Sequence, residues 1–349
     1  MEKYGKRIFE GRKSTMANVS SVMRRVNVFW PKRAKVDMTK LSLRICLAWA
    51  IRMYAGSIAS GQTADESADS LKARLLIPCN ATMVHAWDLP RNPFRESVPS
   101  DSHLAGQIRA GFEIFMDTPG HARRLAGNSM SCNNCHPNGG QKELFAPMVG
   151  VAGCYPEYNK RSGRLFSLED RIVECFMRSI NASAVVNSRN RLSTSSPEVL
   201  AVAAYLAWLS SGLEVGKEFA WRGKNVIPSS NLISPSTLKL NLDAGRQLFT
   251  DRCSNCHGED GQGAWIGDKR PGPLWGPQSW NDGAGAARTY TLAGMIRYAM
   301  PYMDPGSLTD EEALEIAAYI TSRPRPKYPF KKDDYQKEKV PVDAVYYGK

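Results

Sequence analysis

The sequence has little of the alternating apolar and polar pattern that marks β-strands, and it has no uninterrupted apolar run of about 20 residues. The first absence favours an all-α fold. The second argues against a stable membrane anchor, because the most apolar stretch, from Ile45 to Ala59, is interrupted by Arg52. Outside the N-terminal region, a basic patch with interleaved aromatic residues is also missing, which argues against a nucleic-acid-binding protein.

The positive charge is concentrated at the N-terminus. The 349 residues carry a formal net charge of +12, and residues 1–59 contain 13 lysines and arginines against 3 acidic residues. The rest of the chain is therefore nearly neutral. A basic stretch, an apolar run and the small-x-small sequence Ser57-Ile58-Ala59 are together typical of an export signal. We interpret residues 1–59 as a basic extension that contains an export signal within 38–59.

The pentapeptide frame C-x-x-C-H occurs twice, in residues 132–136 and 253–257. This frame is the attachment site of c-type haem, in which the histidine becomes the proximal iron ligand. One zinc site built from all four cysteines is the alternative, but zinc ribbons space their cysteine pairs by about 15–20 residues and these pairs are 121 residues apart. We therefore predict two covalently attached haems c. The predicted proximal ligands are His136 and His257. The predicted thioether cysteines are Cys132 and Cys135 for the first haem, and Cys253 and Cys256 for the second.

Export and haem attachment together predict a bacterial periplasmic protein, because c-type haem is attached after an unfolded chain has been exported.

The order of predicted elements is the same around both motifs: a helix, C-x-x-C-H, a long loop, a ligand region and a closing helix. We therefore predict an all-α fold of two tandem cytochrome c-like domains, each with one haem. The predicted segments are domain 1 at 60–221, a linker at 222–238, domain 2 at 239–325 and a polar tail at 326–349.

Helical periodicity and capping residues predict where the helices lie. Ser167 and Thr309 are each followed three residues later by an acidic residue, which is the pattern of a capping box. The predicted helices cover 102–117, 167–180, 196–212, 241–250, 291–298 and 309–320.

The sixth iron ligand decides what a haem can do, because methionine raises its potential and thiolate lowers it. In domain 2 the first candidate is Met300, since the following Pro301 favours an extended backbone that lets the side chain reach the haem. Met303 is the rival candidate.

In domain 1 the candidates are Met148, Met177 and the thiol of Cys175. A lone cysteine is more often a buried structural residue. Arg171, Cys175 and Ser179, however, recur every four residues and share one helix face, with Arg178 adjacent to it. A guanidinium favours the metal-binding thiolate and binds small oxyanions. This pattern therefore indicates sulfur chemistry at the first haem.

Residues 100–325 carry motifs that resemble the dihaem thiosulfate dehydrogenases. The matching motifs in the first half are Gly127-Asn128, Cys132–Gly140, Pro147, Gly150, Tyr155-Pro156-x-Tyr158, Arg161-x-x-Arg164 and Glu169-Asp170-Arg171-Ile172-x-x-Cys175-Phe176-x-Arg178-Ser179-x-Asn181. Those in the second half are Pro273-Leu274-Trp275-Gly276, Ser279-Trp280-Asn281-x-Gly283-Ala284-Gly285, Met300-Pro301 and Leu308-Thr309-x-x-Glu312-Ala313. The chain departs from the family pattern at Ala182 and at Cys154.

The resemblance implies His136 and Cys175 as axial ligands of the first haem, and His257 and Met300 as those of the second. It also implies a substrate pocket lined by Arg171, Ser179 and one of Arg161 or Arg164, with Gln141 as a weaker candidate. The implied reaction joins two thiosulfates into tetrathionate and passes electrons to a soluble c-type cytochrome or similar acceptor. No stable membrane anchor and no nucleic-acid partner are expected.

Three alternatives stay open at this point. The same pocket could reduce tetrathionate, or the protein could carry electrons without acting on a substrate. A dihaem peroxidase would need a displaceable histidine, which could come from His85, His103 or His121.

Of the remaining thiols, Cys79 and Cys154 either pair in the oxidising periplasm or stay free.

Overall fold

The computed structural model describes residues 68–81, 88–267 and 270–347. The predicted basic extension and export signal lie outside the described residues, as does His85. The described part is mostly helical, as the sequence predicted, with one two-stranded antiparallel hairpin that the sequence analysis did not predict. None of the helices described is long and apolar enough to cross a membrane.

The α-helices are numbered in chain order. They are α1 Ala68–Leu75, α2 Ser102–Met116, α3 Thr118–His121, α4 Cys132–Cys135, α5 Pro137–Gly140, α6 Leu168–Arg178, α7 Pro197–Leu209, α8 Pro235–Leu240, α9 Leu242–Arg252, α10 Ser254–His257, α11 Thr289–Ala299 and α12 Asp310–Ser322. The strands are β1 Glu157–Asn159 and β2 Arg164–Phe166, and short 3-10 turns lie at Arg123–Leu125, Val151–Cys154, Ala182–Ala184, Ser229–Asn231, Gly285–Ala287 and Lys331–Asp333.

The predicted capping residues begin two of the main helices. Ser167 caps α6 and exchanges hydrogen bonds with Asp170, and Thr309 caps α12 in the same way with Glu312. Each box satisfies two amide groups that a helix start would otherwise leave unpaired. The predicted starts of α6 and α12 are therefore confirmed, although α7 ends at Leu209, three residues before the expected stop.

In domain 1 a glycine sets the distance between the first and last long helices. A Cβ atom on Gly111 of α2 would lie 1.9 Å from the carbonyl oxygen of Ala201 in α7. Phe115, one turn further along α2, packs against Tyr205 of α7 with ring centroids 5.5 Å apart. The two helices can therefore cross only because position 111 has no side chain.

Domain 2 uses the same arrangement. A Cβ atom on Gly245 of α9 would lie 2.2 Å from the carbonyl oxygen of Glu315 in α12. Phe249 packs against Tyr319 with ring centroids 5.6 Å apart. The repeated glycine, phenylalanine and tyrosine give both domains one common helix crossing.

The C-terminal segment packs onto the folded chain. Asp334 is buried and makes two hydrogen bonds to the guanidinium of Arg178 at the end of α6, at 2.7 and 2.8 Å. Asp343 is also buried and accepts from Arg288, which precedes α11. The predicted polar tail thus contributes buried charges to both halves. Within the predicted linker, α8 begins at Pro235.

Candidate functional site

A cavity of about 300 Å³ lies between α6 and the first C-x-x-C-H sequence. Its walls include Cys132, Cys135 and His136 on one side and Cys175 on α6. Burial raises the pKa of both Cys132 and Cys135 to about 12, and the nearby Cys175 adds to the rise. The structure therefore brings the predicted attachment cysteines, the proximal histidine and the candidate thiol ligand into one apolar cavity, which is a fitting environment for haem.

The imidazole of His136 is oriented by the loop that follows it. Its Nδ1 lies 2.7 Å from the carbonyl oxygen of Ala146. That hydrogen bond leaves Nε2 free to bind a metal ion, and burial lowers the pKa of His136. A neutral, oriented imidazole is the form that binds iron.

Met148 belongs to the histidine side of the cavity. It follows Ala146 in the loop, and a Cβ atom built on Gly140 would lie 2.8 Å from the Cβ of Met148. Met177 is absent from the cavity walls, and its carbonyl oxygen accepts from Asn281. Of the three candidates for sixth ligand in domain 1, Cys175 is the one that α6 brings to the cavity.

The cavity-facing side of α6 carries Arg171, Cys175 and Ser179, as the four-residue spacing predicted. Burial opposes the charge on Arg171, but the nearby Cys175, Tyr155, Glu174 and Glu157 together outweigh it and raise the pKa of the guanidinium. Arg171 therefore stays charged inside a mostly apolar cavity, where it can bind an anion strongly.

The structure places the other two predicted pocket arginines outside the cavity wall. Arg161 donates to the carbonyl oxygen of Gly283 at 2.7 Å, and Arg164 pairs with Asp170 at 2.9 Å on the outside of the hairpin. Neither arginine is among the residues that line the cavity. The bond to Gly283 keeps Arg161 away from the cavity, and the pairing with Asp170 does the same for Arg164.

Gln141 is also held elsewhere. Its side chain is fully buried, accepts from the amide of Arg91 at 2.7 Å and donates to the carbonyl oxygen of Arg91 at 3.0 Å. Ala182 is likewise buried and does not line the cavity. Cys79 and Cys154 are both free thiols, and of these two only Cys154 lines the cavity.

In domain 2, Cys253 directly precedes the short helix α10, and Cys256 and His257 lie within it. Nδ1 of His257 is buried without a hydrogen-bond partner among the described residues, and burial lowers the pKa of its imidazole to about 4. A buried, neutral imidazole fits a haem iron ligand.

Met300 follows α11 with an extended backbone, as expected for a residue before proline, and packs against the core. Met303 is 62% exposed, which argues against it as the sixth ligand. His103 and His121 are exposed and do not line the cavity of domain 1. The described part of the chain therefore offers no support for a displaceable histidine there.

Residues of domain 2 hold the C-terminal end of α6. The amide nitrogen of Asn281 donates to the carbonyl oxygen of Arg178 at 3.1 Å, and its side-chain amide donates to that of Met177 at 3.0 Å. Asn128 joins the two halves by donating to the carbonyl oxygens of Ser179 and Ser279. These bonds satisfy carbonyl groups that a helix end leaves free.

Three residues of the cavity were missed by sequence reasoning as functional candidates. Tyr155 had been quoted as part of a motif, Glu157 is the variable position of that same motif, and Arg222 had been assigned to the linker. Glu157 and Arg222 form an ion pair at the cavity wall. Since they are 65 residues apart, only the folded chain reveals the pair.

Comparison with known proteins gives two family matches. Residues 121–215 match the family described as SoxA/TsdA, cytochrome c domain, and residues 240–320 match the one described as cytochrome c oxidase, cbb3-type, subunit III. The chain therefore contains two cytochrome c domains, which implies haem c with its iron.

Curated relatives are similar along most of their length. A thiosulfate dehydrogenase of Allochromatium vinosum is 39% identical over 237 residues, which cover 65% of this chain and 82% of the relative. One of Psychrobacter arcticus is 35% identical and covers 71% of this chain and 72% of the relative. The solved thiosulfate dehydrogenase TsdBA from Marichromatium purpuratum is 31% identical, with a TM-score of 0.59 over 67% of this chain. The match spans about half of that longer solved chain, 49%.

Proposed function

Because the chain belongs to the thiosulfate dehydrogenase family, we propose that it oxidises two thiosulfate ions to one tetrathionate ion. The two electrons go to a c-type cytochrome or a similar acceptor. The observation that carries this proposal is the single cavity in which Cys175 and Arg171 lie beside the haem-attachment sequence 132–136. A thiol, a guanidinium that stays charged and a haem site together suit the oxidation of a sulfur oxyanion.

Arg171 supplies the electrostatic part of the reaction. Each thiosulfate is a dianion, so the two outer sulfur atoms can meet only if positive charge offsets the repulsion. The Arg171 guanidinium can bind the sulfonate oxygens of one ion through two parallel hydrogen bonds, and the Ser179 hydroxyl can donate another. These hydrogen bonds to the sulfonate end also orient the outer sulfur towards Cys175.

Cys175 supplies the covalent part. Its sulfur forms a bond to the outer sulfur of the first thiosulfate as two electrons leave, and the outer sulfur of the second thiosulfate then displaces the Cys175 thiolate. The displaced thiolate and one tetrathionate are the products, so atoms and electrons balance. When bound, haem c supplies the one-electron acceptors for this oxidation.

We infer one haem in each domain, with domain 1 at 60–221, a linker at 222–238, domain 2 at 239–325 and a tail at 326–349. His136 and Cys175 are the proposed ligands in domain 1, and His257 and Met300 those in domain 2. The lowered pKa of both histidines and the extended backbone at Met300 support this assignment. We also infer export to the periplasm.

The test is turnover by the purified, haem-loaded protein with thiosulfate and ferricyanide, followed by detection of tetrathionate. We expect tetrathionate from the wild type and none from Cys175→Ala, with both haems still attached in the variant. Cys79→Ala is the matched control, because Cys79 is a free thiol that does not line the cavity. Full activity of Cys175→Ala would refute the proposed role of this thiol.

The direction of the reaction has its own measurement. Thiosulfate alone should reduce the oxidised protein, whereas a tetrathionate reductase would instead be reoxidised rapidly by tetrathionate. A protein that responds to neither ion would be an electron carrier without substrate.

A further inference from the structure

Two guanidinium groups line the cavity of domain 1. Arg171 enters from α6, and Arg222 enters from the segment that follows α7. One carboxylate, Glu157 of β1, lines the same cavity and forms the ion pair with Arg222. Both arginines have solvent-exposed surface, but the surrounding protein is the largest influence on the pKa of Arg171, whereas the hydrogen bond to Glu157 is the largest influence on the pKa of Arg222. Arg171 is therefore the more enclosed of the two guanidinium groups and Arg222 the more open one, and the part of the cavity at Arg222 is called its mouth.

The backbone beneath Arg222 is anchored. Trp221 is buried, and its indole nitrogen donates to the carbonyl oxygen of Val149 at 2.9 Å. The amide of Arg222 itself donates to the carbonyl oxygen of Phe219 at 3.0 Å. The chain is therefore held immediately before the Arg222 side chain, whose guanidinium lines the cavity and keeps access to solvent.

Tyr155 lies within the field of both arginines. Burial raises the pKa of its phenol, and both Arg171 and Arg222 oppose that rise while Glu157 adds to it. Glu157 also contributes to the raised pKa of Arg171. The phenol, which stays neutral, and the Glu157 carboxylate thus lie within electrostatic range of both guanidinium groups.

The proposed reaction needs two positive sites, because it brings together two dianions and makes a product with a sulfonate at each end. The arginines of the hairpin and of the end of α6 are committed to other partners: Arg161 to Gly283, Arg164 to Asp170 and Arg178 to Asp334. Among the described residues of the cavity wall, Arg222 is the guanidinium that remains beside Arg171.

We propose that Arg222 binds the second thiosulfate and the outer sulfonate of tetrathionate, and that Glu157 holds Arg222 when the mouth is empty and competes with the anion. This inference rests on the proposed function. It divides the cavity into an inner anion site at Arg171 and an outer one at Arg222.

The test compares a two-ended anion with a one-ended anion. Calorimetric titration of the oxidised, haem-loaded protein measures the Kd of tetrathionate, which reaches both arginines, and of sulfate, which needs only the inner site. Arg222→Gln should raise the Kd of tetrathionate about tenfold or more, the effect of losing a charged hydrogen bond, and should change the Kd of sulfate less than about twofold. Glu157→Gln should lower the Kd of tetrathionate, because the competing carboxylate is gone.

Arg124→Gln is the matched control. Arg124 also pairs with a glutamate, Glu198, and is 40% exposed, but it does not line the cavity. Its replacement should leave both Kd values unchanged. If the ion pair only stabilised the fold, Arg222→Gln and Glu157→Gln would weaken tetrathionate binding alike, and that result would overturn the inference.

The two proposals fail in different ways. A wild type that produces no tetrathionate from thiosulfate would overturn the proposed function and this inference with it. A wild type that turns over normally, together with an Arg222→Gln variant that binds tetrathionate as tightly as the wild type, would overturn the inference alone.

Discussion

The helix crossing of domain 1 allows a sharp comparison of two alanine substitutions in one helix. Gly111 and Gly106 both lie in α2. A Cβ atom at 111 would lie 1.9 Å from the carbonyl oxygen of Ala201, whereas a Cβ atom at 106 would have no atom within 4 Å. Non-bonded carbon atoms sit about 3.5–4.0 Å apart. Gly111→Ala therefore forces α2 and α7 apart, and Gly106→Ala does not.

The magnitudes follow from these distances. Overpacking of this kind costs typically about 1–3 kcal/mol, and a contact this short with rigid backbone belongs at the upper end. We expect Gly111→Ala to lower the free energy of unfolding by about 3 kcal/mol. Gly106→Ala should raise it by about 0.5–1 kcal/mol, because alanine loses less conformational freedom than glycine in a helix.

The assay is guanidinium chloride unfolding of the haem-loaded variants, followed by far-ultraviolet circular dichroism. The midpoint should fall for Gly111→Ala and rise slightly for Gly106→Ala, with the same dependence on denaturant. Equal midpoints for the two variants would show that the crossing is looser than the structure has it, and the argument from the carbonyl contact would be wrong.

Two further predictions concern ion pairs. Asp334→Asn removes the buried partner of Arg178 and should destabilise the protein by about 3 kcal/mol in denaturant unfolding, whereas Asp243→Asn, which alters a loose pair on an exposed surface, should leave the midpoint unchanged. The hydrogen bond from Arg164 lowers the pKa of Asp170 below its ordinary 3.8, so this carboxylate contributes stability above the ordinary pKa that is lost as the pH falls through the lowered value. Asp170→Asn should therefore flatten the decline of stability with pH below about 4, and an unchanged slope would contradict the assigned pairing.

Local chemistry explains what could be read from the sequence. The haem-attachment sequences are contiguous, and the capping boxes at Ser167 and Thr309 act over four residues, so neither depends on the rest of the fold. The face shared by Arg171 and Cys175 follows from helical periodicity alone. The capping boxes are present as predicted, and α6 does turn that face to the cavity. The two attachment sequences lie within the two cytochrome c matches.

Choosing which arginines reach the cavity needed the fold. Arg161 and Arg164 lie at the hairpin, whose presence the sequence did not reveal, and its geometry directs them to Gly283 and to Asp170. Arg222 belongs to a segment whose composition is that of a linker. Its path past the cavity is fixed by buried Trp221, a contact that no local pattern encodes.

The hydrogen bonds from Asn281 to the end of α6 connect the two halves of this protein. The helix that holds Cys175 is closed at its C-terminal end by groups from domain 2, not by its own half alone. Splitting the gene between the halves would therefore do more than interrupt electron flow. It would also remove the hydrogen-bond donors that close the last turn of the helix carrying Cys175.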